Sequence, residues 1–372
     1  MYSLFHQRMN EHLKDIDVYE AGKPIELVVR EFGVDPKDIV KLASNENPLG
    51  TSPKVAKVIC EHANRAHMYP DDSMYALKEA LSKKFLVEHE NLIIGAGSDQ
   101  VLSFISHLLL NSSKSILTSR VSFAMYDIYA AHHGAKVIKT PSYQHKADEF
   151  IPLIKKHSPS IVYLCTPNNP TGDAMDIDEV YKIIEATDSS TTLVVIDGAY
   201  MEYAQAKSNR YKIEPSKIIK KYPNVLYLGT FSKAYGLGGM RVGYGIARED
   251  FIKALLKVRP PFNITTLSMA AAVEALNDTE FVEKTLLIHS QEISRYEEFA
   301  KEHNIKYIPS ATNFITYLFE GERESDRLYE YMLKRGVIVR NLASYGMNAL
   351  RITVGTKKQN ERVFELLSKA LN

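Results

Sequence analysis

Between residues 91 and 228, short β-branched or apolar runs alternate with segments of helical spacing, the runs being 91–94, 115–118, 135–140, 161–165, 192–197 and 224–228, several of them apolar almost throughout. A strand with one wet face carries apolar residues at every second position, so runs that are apolar throughout imply strands buried on both faces. The intervening helices supply the covering layers, and crossovers of that kind join parallel strands. The pattern predicts an α/β domain: a mostly parallel central sheet with helices on both faces. Two helices can be placed directly. Residues 74–86 set Leu77, Leu81 and Phe85 at helical spacing behind Ser73 as a candidate N-cap, and 101–110 form a second amphipathic segment.

After Pro260-Pro261 the pattern changes to a long helical stretch at 267–303, a strand at 314–319, a helix at 327–334 and strands at 337–340 and 350–354. This reads as a smaller α+β C-terminal domain. The expected division is an N-terminal arm over 1–30, a large α/β domain over 31–262 and the small domain over 263–372, which a length of 372 residues accommodates. No repeat of solenoid period and no low-complexity linker separates the halves, so a cleft between closely packed units is expected to hold the ligand.

Lysine and arginine number 46 against 45 acidic residues, so no overall field steers the molecule toward nucleic acid, and any anion site must be local. Cys60 and Cys165 are the only cysteines and no CxxC pair occurs, which argues against a disulfide framework and a cysteine-rich metal site. The first 14 residues carry Arg8, Glu11 and Lys14 and lack a signal-peptide pattern, while no apolar run approaches the roughly 18 residues of a membrane span. A cytoplasmic location without a membrane partner is expected.

Walker A, HExxH and GxSxG patterns are absent. The turn Gly95-Ala96-Gly97-Ser98-Asp99-Gln100 follows a strand and opens a helix, where backbone amides at the positive end of a helix dipole can cradle a phosphate. Gln100 stands where a dinucleotide fingerprint needs a small residue, and Ser119-Arg120 after the next strand supply no acid for a ribose. A single phosphate fits better, and a tight turn without a ligand is the plain alternative. Pro167-Asn168-Asn169-Pro170-Thr171-Gly172 follows another buried strand. Asp197, at the tip of the apolar run 192–197, is a carboxylate that needs a partner and suits a cationic ligand group. The segment 228–241 sets Lys233 among Thr230, Ser232, several glycines and Arg241: a lysine with a depressed pKa, nucleophilic toward an aldehyde, beside groups that bind phosphate.

In this order the motifs resemble the fold-type I pyridoxal-phosphate aminotransferases, and among them the histidinol-phosphate aminotransferases. The resemblance covers nearly the whole chain. It rests on Leu42-Ala43-Ser44-Asn45-Glu46-Asn47-Pro48, Tyr69-Pro70, the Gly95–Gln100 turn, the Pro167–Gly172 loop, Asp197-Gly198-Ala199-Tyr200, Thr230 to Lys233 with Arg241, and 350–356. It implies that Lys233 bonds covalently to pyridoxal 5'-phosphate, that Asp197 pairs with the pyridine nitrogen, and that Asn169 and Tyr200 hydrogen-bond the 3-hydroxyl oxygen. Phe123 would stack on the ring. The phosphate would be held by the backbone of Ala96, Gly97, Ser98 and Asp99, by Thr230, Ser232 and Arg241, and by Tyr69 from the partner subunit of a homodimer. Gly198 departs from the pattern, since the wider family commonly has Glu there.

For the substrate, a hairpin centred on Tyr345-Gly346 would set Arg340 opposite Arg351, and directly opposed residues share a face. Two guanidiniums suit a phosphate dianion better than a lone carboxylate, favouring a phosphate-bearing amine. The resemblance adds Tyr19 on the N-terminal arm, together with Asn45 and Asn313, as substrate-binding residues. It implies histidinol phosphate and 2-oxoglutarate as the substrate pair, in histidine biosynthesis. The alternatives on the same cofactor site are an aromatic aminotransferase and a threonine-phosphate decarboxylase, and a noncatalytic binding module on the same scaffold is a third.

Overall fold

The computed structural model describes residues 5–14, 16 and 25–371. Its centre is a seven-stranded sheet in the order Leu92–Gly95, Gly243–Ala247, Val225–Thr230, Leu193–Asp197, Ile161–Cys165, Ser115–Thr118, Lys136–Lys139. Every pairing is parallel except the two made by Gly243–Ala247. Alternate residues of one strand enter different cores: Val194 and Ile196 pack into one cluster, Leu193 and Val195 into another. That is the physical content of an all-apolar run, each buried Val, Leu or Ile contributing on the order of 1.5–3 kcal/mol.

Gly243–Ala247 escapes pattern reading because its glycines dilute the apolar signal. They are needed for close approach: a Cβ on Gly243 would lie 2.0 Å from the Ser98 nitrogen, and one on Gly245 would lie 3.0 Å from Ile93 Cγ2. The strand thus lets helix Ser98–Leu109 settle against the sheet.

The C-terminal part builds a four-stranded sheet in the order Arg340–Asn341, Ala349–Thr353, Phe314–Leu318, Lys306–Ile308, with its own apolar cluster. The expected strand over 337–340 is divided. Val337–Ile338 pairs in parallel with Val40–Lys41, and Arg340–Asn341 joins the four-stranded sheet. The long helical stretch is also broken, into Thr266–Asn277 and Thr279–Glu302, at Asp278, whose buried carboxylate accepts from Ser52 and pairs with Lys54 at 2.8 Å.

These contacts do not follow the sequence boundaries. Ala271, Ala272 and Ala275 lie past residue 262 yet pack into the large sheet's core, whereas Leu42 packs into the C-terminal cluster. Ser73 does not cap the helix Tyr75–Phe85; Asp71 accepts the N–H groups of both Ser73 and Tyr75 instead. Near the N-terminus, His12 Nε2 bonds the His132 carbonyl at the end of helix Met125–His132. Tyr19, the expected arm residue, lies outside the described residues. Among the described residues no helix is long and apolar enough to cross a membrane.

Candidate active site

Three neighbouring parallel strands end together, and their last residues, Cys165, Asp197 and Thr230, line the floor of a cavity of about 250 Å³. Asp197 closes its strand 3% exposed, with Tyr126 Oη donating to Oδ2 at 2.7 Å and the Ala199 N–H donating to Oδ1 at 3.1 Å. Burial pushes its carboxyl above the usual range, and those two bonds pull it back. Neither of these partners is charged, so the floor carries a carboxylate whose environment suits an incoming cation. Cys165, opposite Asp197 in the sheet register, also lines the floor; burial pushes its thiol up to about 12, and it stays protonated.

At one end stands an anion cradle. Helix Ser98–Leu109 begins at Gly97, whose φ is +80°, and the N–H groups of its first turn have no carbonyl partner within the helix. A Cβ on Gly97 would lie 2.6 Å from Arg241 Nη2, so only glycine lets the guanidinium close on the helix start. Thr230 and Ser232 face the same end, their hydroxyls 3.0 Å apart. Ala96 is placed otherwise: its N–H is taken by Gln100 Oε1 at 2.7 Å, and it does not line the cavity. Asp99 accepts from Tyr129 Oη at 3.0 Å, while its Oδ1 is buried without a partner and its carboxyl is raised by burial.

Lys233 enters from the turn after Val225–Thr230, its amine 5.6 Å from the centre of the Tyr200 ring. Burial, then the charges of Arg351 and Arg241, lower its pKa to about 8, so near neutrality a fraction of the amine is unprotonated. Phe123, Asn169 and Tyr200 complete the lining around it.

Behind the lining on the side of Asn169 lies the C-terminal sheet, none of whose residues borders the cavity itself. Arg340 stands directly opposite Arg351 in the antiparallel register. Arg351, 8% exposed, sits one side chain behind the lining, donating to Asn169 Oδ1 and to the Ala43 carbonyl, each at 2.6 Å. Asn45, in the left-handed region at φ +55°, donates to Tyr200 Oη at 2.9 Å and receives the Thr353 hydroxyl at 3.0 Å. Asn313 Nδ2 donates to the Asn45 carbonyl at 2.9 Å, and its Oδ1 is buried without a partner. Tyr69 does not line the cavity; it is 83% exposed and stacks on Phe262.

Six contributors escaped the sequence reading as site residues: Tyr126, which holds Asp197, and the lining residues Ser44, Cys165, Ala199, Gly238 and Glu46, the last ion-paired with Lys41 at 3.1 Å. Cys165 had a usable signal, since it ends a buried strand neighbouring that of Asp197. Tyr126 carries none beyond an aromatic three residues after Phe123.

An α/β fold with a lysine, a carboxylate and an anion cradle at the strand ends defines a class of group-transfer enzymes. The Aminotransferase class I and II family matches residues 37–367, and the chain belongs to it. It is 61% identical over 365 residues to histidinol-phosphate aminotransferase of Sulfurovum sp. (strain NBC37-1), covering 98% of this chain and 100% of the relative. The enzyme of the same name from Sulfurimonas denitrificans is 54% identical over 364 residues, with 98% and 100% covered. Among solved structures, histidinol-phosphate aminotransferase from Sinorhizobium meliloti in complex with pyridoxal-5'-phosphate shares the fold at TM-score 0.89 and 24% identity, covering 98% of this chain and 97% of that one. L-threonine-O-3-phosphate decarboxylase from Porphyromonas gingivalis shares it at TM-score 0.76 and 22% identity, with 90% and 99% covered.

Proposed function

We propose that the protein transaminates histidinol phosphate with 2-oxoglutarate, yielding imidazole acetol phosphate and glutamate in histidine biosynthesis, with pyridoxal 5'-phosphate as cofactor. The observation that carries the substrate half is the register that sets Arg340 opposite Arg351, behind a cavity lined by Lys233 and Asp197. The names of the relatives at 61% and 54% identity support the same reading.

The residues fit the cofactor. Gly97 leaves the room that Arg241 fills, the helix start and the Thr230 and Ser232 hydroxyls offer donors for a phosphate, and Asp197 is a buried carboxylate suited to a cationic ring nitrogen. The bound cofactor supplies an electron sink that stabilises negative charge at the substrate's Cα. Lys233 Nζ, partly neutral because of its lowered pKa, would hold the cofactor through its aldehyde carbon and would serve as the base that takes up and returns the proton at the substrate's Cα. Asn169 and Tyr200 orient the ring, and Phe123 covers it. Arg351 and Arg340 bind the substrate phosphate, with Asn45 and Asn313 shaping the wall between them. The same reading makes the enzyme a cytoplasmic homodimer in which Tyr69, exposed on its own subunit, serves the partner's cradle.

Absorbance tests both halves. The purified protein with added pyridoxal phosphate should show a visible band that histidinol phosphate bleaches far faster than phenylalanine does. A band that answers only to phenylalanine makes the enzyme an aromatic aminotransferase, and no band at all removes the role given to Lys233.

A further inference from the structure

Helix Met125–His132 turns two tyrosine hydroxyls onto the two acids that border the cavity: Tyr126 donates to Asp197 at 2.7 Å and Tyr129 to Asp99 at 3.0 Å. Residues three apart on a helix share a face, so one rigid element addresses both acids. The two settings differ. Asp99 keeps one oxygen unpartnered, whereas Asp197 is held on both, by Tyr126 and by the Ala199 N–H. Tyr126 is itself fixed: it is 1% exposed, and its ring lies parallel to that of Tyr163 with centroids 4.3 Å apart and planes 4° from parallel.

We propose that Tyr126 is a positioning residue for the cofactor's ring nitrogen, acting through Asp197: its hydroxyl and the Ala199 N–H pin the carboxylate as an oriented anion at the cavity floor. The proposal rests on the pyridoxal-phosphate reading above.

The surroundings leave Tyr126 a large share of this task. Of the groups facing Asp197, Lys233 brings the positive charge. Asp99 on helix Ser98–Leu109, Tyr163 and Cys165 on the strand Ile161–Cys165, Tyr227 on Val225–Thr230 and Tyr200 in the following turn are acidic or neutral. A buried carboxylate needs donors to remain an anion, and a hydroxyl at 2.7 Å is a charge-assisted bond. Phenylalanine at this position keeps the stacked ring and removes only the donor.

The test compares wild-type and Tyr126→Phe apoproteins, titrated with pyridoxal phosphate and with its 1-deaza analogue, whose ring nitrogen is replaced by CH. Tyr126→Phe should bind pyridoxal phosphate about tenfold more weakly, the loss growing from pH 8 to pH 6, while the analogue binds both proteins alike. The sign follows from the lost donor. Burial then raises the Asp197 carboxyl further, the acid is protonated at higher pH, and its attraction for a ring N–H⁺ disappears first on the acidic side. Tyr163 Oη is buried without a partner, so Tyr163→Phe is the matched control and should change neither affinity. Equal affinities for pyridoxal phosphate, or equal losses for both ligands, overturn the proposal. Failure of the wild type to bind pyridoxal phosphate overturns the cofactor reading, and this inference with it.

Discussion

The cavity floor and the arginine wall behind the lining are assembled by different means. The floor is made of strand ends and the turns that follow them: Asp197 and Ala199 are two residues apart, Thr230 and Ser232 likewise, and a strand-to-helix turn begins the cradle that Arg241 and the two hydroxyls complete. The wall is made at long range. Asn45 bonds Thr353 across 308 residues and Arg351 reaches Asn169 across 182. A floor built locally survives drift elsewhere in the chain, whereas the wall exists only while the C-terminal sheet keeps its register and Val40–Lys41 stays paired with Val337–Ile338. On the function proposed above, the floor carries the chemistry common to the class and the wall carries the choice of substrate.

The sharpest test of this division lies on the floor. Lys233→Ala should lower kcat by at least about a thousandfold with either amino donor, because nucleophile and base are lost together. In the wild-type apoprotein, capture of pyridoxal phosphate should speed up about tenfold per pH unit and level off above about 8, where Lys233 is neutral. Stopped-flow absorbance reads both. On the wall, Arg351→Ala should raise KM for the phosphorylated substrate about a hundredfold, with a far smaller change in cofactor affinity. Steady-state kinetics beside a cofactor titration would break the comparison if both moved equally.

The smallest effect belongs to the floor's packing. A Cβ at Gly198 would lie 2.5 Å from Tyr227 Oη and 2.7 Å from Tyr227 Cε2, so the packed tyrosine leaves no room for a side chain at this position. Gly198→Ala should therefore lower stability by about 1–3 kcal/mol, measured as a drop in Tm. Adding Tyr227→Phe should recover only part of that, because the ring carbon remains.

The legibility of the site follows the same division. Lys233, Asp197, Thr230, Ser232 and the turn at Gly97 could be read from sequence, because each depends on a short segment at the end of a buried run. The opposition of Arg340 and Arg351 was readable only because a short hairpin joins them. Asn45 meeting Tyr200, or Tyr126 meeting Asp197, left no local mark: these contacts depend on how separate elements pack, and the sequence period of either element is blind to its neighbour. The break at Asp278 and the strand Gly243–Ala247 were missed for a related reason. A buried carboxylate bonded by a distant segment and a glycine-permitted close approach are tertiary events that weaken local periodicity rather than produce it.

Sequence alone determined that the chain makes a doubly covered, mostly parallel sheet with chemistry at its strand ends, because burial on both faces and the turn residues after each strand are local requirements. Tertiary structure decided that Tyr126 holds Asp197 and that Arg351 stands behind Asn169. Those outcomes depend on differences of a few tenths of an ångström in the spacing of segments far apart in the chain. Only the packed core sets such distances.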